Sequence, residues 1–143
     1  MKINDVLHAK ASQEVVTIRP DATVRELVAL LDEHNVGALV VSDDGERVSG
    51  IVSERDVVRR LHADAAVLDR LVSDIMTPDV RTCAGGDALT DLMQTMTEHR
   101  IRHVPVVADG RLTGIISIGD VVKNRIGELE FERDQLDSYV HRT

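Results

Sequence analysis

Apolar positions along this chain switch between two periods, and the switch happens twice. Val15 to Ile18 is a β-rich run, after which Val24, Leu27, Val28 and Leu31 recur at the spacing of an amphipathic helix. Thr23, followed by Glu26, predicts a capped start for that helix. Two apolar runs, Ala38 to Val41 and Val48 to Val52, flank Asp43-Asp44-Gly45 and predict a hairpin, with a second helix from Glu54 to about His62. The order then recurs. Val80 to Cys83 is a strand, and Leu89, Leu92, Met93 and Met96 form a helical face. His103 to Val107 and Leu112 to Ile116 make a hairpin around Ala108-Asp109-Gly110, and a helix runs from Gly119 into the tail.

The recurrence extends to identities. Thr17, Leu27, Glu33, His34, Val41, Asp44 and Gly45 align with Thr82, Leu92, Glu98, His99, Val106, Asp109 and Gly110. Arg47, Gly50, Ile51, Ser53, Asp56, Val57 and Val58 align with Arg111, Gly114, Ile115, Ser117, Asp120, Val121 and Val122. The lead-in repeats as well, Ile3 to Leu7 paralleling Val72 to Met76. The fold class expected is α/β (α+β): two β-α-β-β-α repeats packed face to face, since a unit of about 60 residues buries little core alone. Residues 1–64 form the first repeat, 65–71 a linker, 72–125 the second repeat and 126–143 a helical tail. The stretch from Ala63 to Val72 has no Gly or Pro and is expected to be helical. In the tail, Ile126, Leu129, Leu136 and Val140 keep near-heptad spacing, which fits either a helix lying on its own domain or a helix paired in a dimer.

Composition narrows the function. With 25 acidic and 17 basic side chains the net charge is −8, which argues against a nucleic-acid or anionic-membrane partner. Two aromatic rings, Phe131 and Tyr139, cannot build a base-stacking platform. A single Cys excludes an intramolecular disulfide and favours a reducing cytoplasmic setting. No apolar run approaches the ~20 residues of a membrane span, and the first residues lack the apolar stretch of a signal peptide.

The sharpest local pattern is Gly50-Ile51-Val52-Ser53-Glu54-Arg55-Asp56, repeated as Gly114-Ile115-Ile116-Ser117-Ile118-Gly119-Asp120 where the last strand of each repeat turns into its last helix. Ser-x-x-Asp at such a junction is what a helix cap requires. It is also what a nucleotide requires: free backbone N–H groups and a hydroxyl for an anion, and a carboxylate that accepts both vicinal hydroxyls of a ribose. Duplication of Gly, Ser and Asp among varied neighbours favours binding. There is no Ser–His–Asp ordering, no metal-ligand cluster and no Walker-type glycine loop, so neither catalysis nor a metal is expected.

These marks, with Arg102-His103-Val104-Pro105-Val106-Val107 and Asp74-Ile75-Met76-Thr77, resemble a pair of cystathionine-β-synthase (CBS) domains, the tandem arrangement called a Bateman module. The resemblance spans residues 1 to about 125. It implies a stand-alone, non-catalytic regulatory module with a homodimeric disc and an unidentified regulated protein. Its implied ligand is an adenine nucleotide (AMP, ADP or ATP, with NAD or S-adenosylmethionine in some members), bound between the halves with no cofactor required. By resemblance, Asp56 and Asp120 hold ribose hydroxyls, while Ser53 and Ser117 contact ribose or phosphate. Thr17, Ile18, Thr82 and Cys83 line the adenine pocket. Arg102, His103 and Arg55 reach phosphates, and Pro105 and Gly119 belong to the matching motifs. A ligand-free dimeric adaptor is the alternative. The halves are not equivalent: Gly37-Ala38 replaces Arg102-His103, and Gly119 replaces Arg55. Arg59 and its equivalent Lys123 fit a solvated helix face or the rim of the cleft, and Cys83 fits a small buried residue better than a redox-sensitive thiol.

Overall fold

The computed structural model describes residues 1–10 and 14–141. Helix α1 (Ile3–Ala9) leads into strand β1 (Thr17–Ile18), helix α2 (Val24–His34), strands β2 (Ala38–Val41) and β3 (Gly50–Ser53), and helix α3 (Glu54–Ala63). A single 3₁₀ turn (Val67–Asp69) and helix α4 (Val72–Ile75) follow. The second half holds helix α5 (Leu89–His99), strands β4 (His103–Ala108) and β5 (Arg111–Ser117), and helix α6 (Ile118–Val140). The first sheet runs β1-β2-β3, with β1 parallel and β3 antiparallel to β2; the second is the antiparallel pair β4-β5.

Each element forms for a local reason. Thr23 Oγ1 accepts from Glu26 N–H while Glu26 Oε2 accepts from Thr23 N–H, the reciprocal cap read from the sequence. Val24, Leu27 and Leu31 are buried on α2, and Leu89, Leu92 and Met96 on α5. Val28 of the expected α2 face is exposed. Asp109 and Gly110, both at positive φ, close the two-residue turn of the second hairpin. In the first hairpin Asp44 Oδ1 accepts from the N–H groups of Glu46 and Arg47, making a longer loop.

Three expectations change. Val80 to Cys83 forms no strand; only Cys83 bridges to β4, through Cys83 N–H to Pro105 O and Val107 N–H to Cys83 O, before Gly85-Gly86 turns the chain away. The stretch between the repeats is not one helix. Val67 is drawn fully into the interior, and the Asp64–Arg70 ion pair folds the segment into a compact turn. The tail is one unbroken 23-residue helix, about 34 Å long at 1.5 Å per residue. Its distal part does not lie on the body: Phe131, Leu136, Tyr139 and Val140 are all exposed.

The cores are assembled crosswise. Ile3 and Val6 of α1 pack with Leu89, Leu92, Met96, Val104, Val106, Ile116 and Val121 of the second half. Val72 of α4 packs with Ile18, Leu27, Leu31, Leu39, Val41 and Val52 of the first. The backbone repeats the exchange. Ile3 and Asn4 N–H donate to the carbonyls of Asp87 and Gly85, as Val72 and Ser73 N–H donate to those of Ala22 and Pro20. Each lead-in therefore closes the other repeat, which holds both strand-to-helix junctions close to the interface between halves.

Candidate functional site

Both junctions are helix caps, as the sequence allowed. Ser53 Oγ accepts from Asp56 N–H, and Asp56 Oδ2 accepts from Ser53 N–H (2.8 Å) and Ser53 Oγ–H (3.1 Å). Ser117 and Asp120 reproduce the reciprocal backbone bonds at the start of α6. The surroundings separate them. Asp56 lines a cavity of about 220 Å³ between the halves, walled by Gly37, Ala38, Ile51 and Ser53 on one side and Ile101 to His103 on the other. Asp56 Oδ1 makes no hydrogen bond among the described residues.

Four arginines surround that cavity. Arg55 and Arg59 stand one turn apart on α3, while Arg100 and Arg102 flank the entry to β4. Arg55, Arg100 and Arg102 also line an adjoining cavity of about 360 Å³ with Met96, Thr97 and Ile118. None of the four is in an ion pair among the described residues, although the chain carries net charge −8. Such a concentration of unpaired cation at one cleft attracts an anion. His103 completes the wall, where burial pulls its pKa below the usual range against the opposing influence of Glu54 and Asp120.

Of the residues singled out from sequence, the structure brings Ser53, Arg55, Asp56, Arg102 and His103 to this one cavity. Ser117, Gly119 and Asp120 form the second junction, where Lys10 Nζ donates to Asp120 Oδ2 and to Ile115 O, both at 3.0 Å. Burial raises the Asp120 pKa, but the Ser117 N–H and the Lys10 ammonium outweigh it and hold the carboxyl below its usual range. The four residues given to an adenine pocket do not reach the main cavity. Ile18 is buried in the first core, Thr17 is half-buried on β1, Thr82 is exposed, and Cys83 packs on the second core. Burial foremost, then the Asp87 charge, pushes the Cys83 thiol up to about 12, leaving almost no thiolate at neutral pH. Pro105 is buried within β4 opposite Ile115.

Sequence reasoning missed Lys10, Thr77 and Arg100. Arg100 carried a signal: it ends α5 at φ 53, the left-handed position that Asn35 takes at φ 51 at the end of α2. Asn tolerates that conformation and Arg does not favour it, so the Asn-to-Arg difference between the repeats is the local mark of this position. The glycines of the junction motif serve the protein's own packing. A Cβ at Gly50 would lie 2.7 Å from Met76 Sδ and 2.9 Å from Thr77 O, and one at Gly114 would lie 2.6 Å from Leu7 Cδ2.

Among the described residues no group of three or more His, Cys, Asp or Glu is placed to hold a metal ion, and no helix is long and apolar enough to cross a membrane.

Comparison with known proteins agrees with this architecture. The family model described as CBS domain matches residues 3–63 and 72–127. The mitochondrial CBS domain-containing protein CBSX3 of Arabidopsis thaliana is 36% identical over 96% of this chain and 71% of its own length. The crystal structure of the CBS-domain containing protein ATU1752 from Agrobacterium tumefaciens superposes with a TM-score of 0.83 at 46% identity, covering 87% of this chain and 99% of that one. The CBS domain pair of protein MJ0100, solved in complex with 5-methylthioadenosine and S-adenosyl-L-methionine, shares the fold with a TM-score of 0.77 at 24% identity, covering 86% of this chain and 98% of that one. Two repeats, their crossed lead-ins and their capped junctions thus have one explanation: the chain belongs to the CBS-domain family, as a tandem pair of CBS domains.

Proposed function

We propose that this chain is a regulatory module, not an enzyme, that senses an adenine nucleotide (AMP, ADP or ATP, with NAD admitted). The ribose sits on the Asp56 carboxylate, and the phosphates sit among Arg55, Arg59, Arg100, Arg102 and His103. The observation that carries this reading is the convergence of a capped carboxylate and four unpaired arginines on one cavity of about 220 Å³ in an acidic protein. That volume is just under the ~300 Å³ at which small-molecule sites begin, and the adjoining cavity extends it along the arginines. The CBS pair of MJ0100 holds two adenosine-bearing ligands, so the fold itself accommodates such a body. Because the cavity is walled by both repeats, a bound nucleotide bridges them. Its preference for one relative arrangement is the free energy available to change what a partner protein reads, typically about 1–3 kcal/mol.

Calorimetry tests this with AMP, ADP, ATP and NAD, then with 2′-deoxy-AMP and the variant Asp56→Ala. Removing the carboxylate costs a charge-assisted hydrogen bond, about 1.5–3 kcal/mol, so affinity for AMP falls roughly 10- to 150-fold. Loss of the 2′-hydroxyl weakens binding to wild type but adds nothing further in Asp56→Ala. Absence of binding by all four nucleotides removes the proposal. A ligand-free dimeric adaptor is favoured by one observation, the exposed apolar row Ile126, Leu129, Leu136 and Val140 on α6, and nucleotide-independent dimerisation with no nucleotide binding is its signature.

A further inference from the structure

We infer that Lys10 is a built-in occupant of the second junction, so that the chain takes one nucleotide at Ser53–Asp56 and none at Ser117–Asp120 while that ammonium is in place. The inference rests on the nucleotide reading above and deepens it to a stoichiometry. The two junctions have the same capping bonds and the same Gly, Ser and Asp. What differs is the group in front of each carboxylate. At the first, the Ile51 carbonyl is taken by the backbone N–H of Thr77 (2.9 Å), and the space before Asp56 is left to the cavity. At the second, the carbonyl of Ile115 and the Asp120 carboxylate are both taken by the Lys10 ammonium, in a part-buried ion pair. On its other side Lys10 lines a small cavity of about 20 Å³ with Leu7, Glu14, Val15, Gly114 and Ile115.

Charge placement supports the same asymmetry. The positions that supply Arg55, Arg59, Arg100 and Arg102 at the first junction are, in the repeat alignment, Gly119, Lys123, Asn35 and Gly37. The second junction thus lacks three of the four side-chain cations for a phosphate, and the ammonium nearest to it is committed to a carboxylate and a carbonyl. A ligand hydroxyl entering there must break a charge-assisted pair and replace it with a neutral donor, an unfavourable exchange.

Native mass spectrometry and calorimetry with AMP, on the full chain, give the test. Wild type binds one AMP per chain, and Asp56→Ala, with Lys10 in place, still binds a single AMP, about 10- to 150-fold more weakly. Lys10→Met keeps the stem and removes the charge; it binds two AMP per chain, and adding Asp120→Ala weakens one of the two sites about 10- to 150-fold while leaving the other unchanged. Two AMP per wild-type chain overturns the inference without touching the nucleotide reading. One AMP per chain in both wild type and a folded Lys10→Met, checked by its thermal melt, does the same. Should Lys10→Met not fold, the wild-type count decides alone. No binding of AMP, ADP, ATP or NAD by wild type or by Lys10→Met removes both proposals, and if another of the four binds in place of AMP the same counts are read with it.

Discussion

The two strand-to-helix junctions share one skeleton and differ in what stands around it. Asp56 faces a cavity ringed by arginines; Asp120 faces a lysine of its own chain. In both, the carboxylate is already a helix cap, so the Ser-x-x-Asp pattern is a structural device first. What turns one of them into a candidate site is the set of neighbours from the other repeat, Arg100, Arg102 and His103. Duplication preserved the scaffold of the site while its charges moved independently. A motif match is therefore evidence for a scaffold, and the count of unpaired cations around it is evidence for a ligand.

The contrast between halves can be pressed further, starting with the junction glycines. Gly50→Ala loses about 1–3 kcal/mol, because the added Cβ meets the Thr77 carbonyl, which is fixed by paired backbone bonds with Ile51. Gly114→Ala loses less than half of that, since its nearest contacts are the Leu7 side chain, which can shift where a backbone carbonyl cannot. Urea denaturation of both variants measures the difference, and equal losses would mean that the two lead-ins are held with equal stiffness.

Helix starts give the next effect. α2 has a full Thr23–Glu26 cap, whereas α5 begins at Ala88 with no side-chain cap. Thr23→Ala costs about 1 kcal/mol and Ala88→Thr gains about 0.5–1 kcal/mol, read as opposite shifts in the denaturation midpoint. A loss on adding Thr at position 88 would show that its methyl clashes.

The smallest effect is that of pH. His103 occupies the place of Ala38, and burial lowers its pKa in the folded state; Glu54 and Asp120 resist that shift while Lys10 and Arg102 reinforce it. As pH falls below about 6.5 the unfolded chain takes up a proton that the folded chain resists, so stability is lost from there down to the folded pKa and then levels off. Wild type loses stability relative to His103→Gln between pH 7.5 and 5. A gap between the two proteins that stays constant over that range would contradict the burial of this imidazole.

The legible part of the molecule was the part written in local periods. The helical stripes, both hairpins, the Thr23 cap and the duplication are each set by residues within a few positions of one another. Lys10 was not legible, because nothing in its neighbourhood says that its ammonium travels to Asp120; that is a tertiary fact. The lead-ins show the same limit. Ile3 and Val6 announce that they need burial, but an amphipathic segment does not say which core will bury it. Val80 to Cys83 failed for a related reason, its β-rich composition being overridden by the glycines that follow. Arg100 was the one missed residue with a local mark, an arginine in the slot where the sister repeat has asparagine.

The crossed lead-ins also impose an order of assembly on the growing polypeptide. The first core is complete once residue 76 has emerged, because Val72 and Met76 supply its last apolar contacts. Helix α1, made before either core, has no home until Val104, Ile116 and Val121 follow it out of the ribosome. At roughly 5–20 residues per second the amphipathic start of the chain waits for seconds, exposed to whatever binds nascent apolar helices, before the last half to be made closes over it.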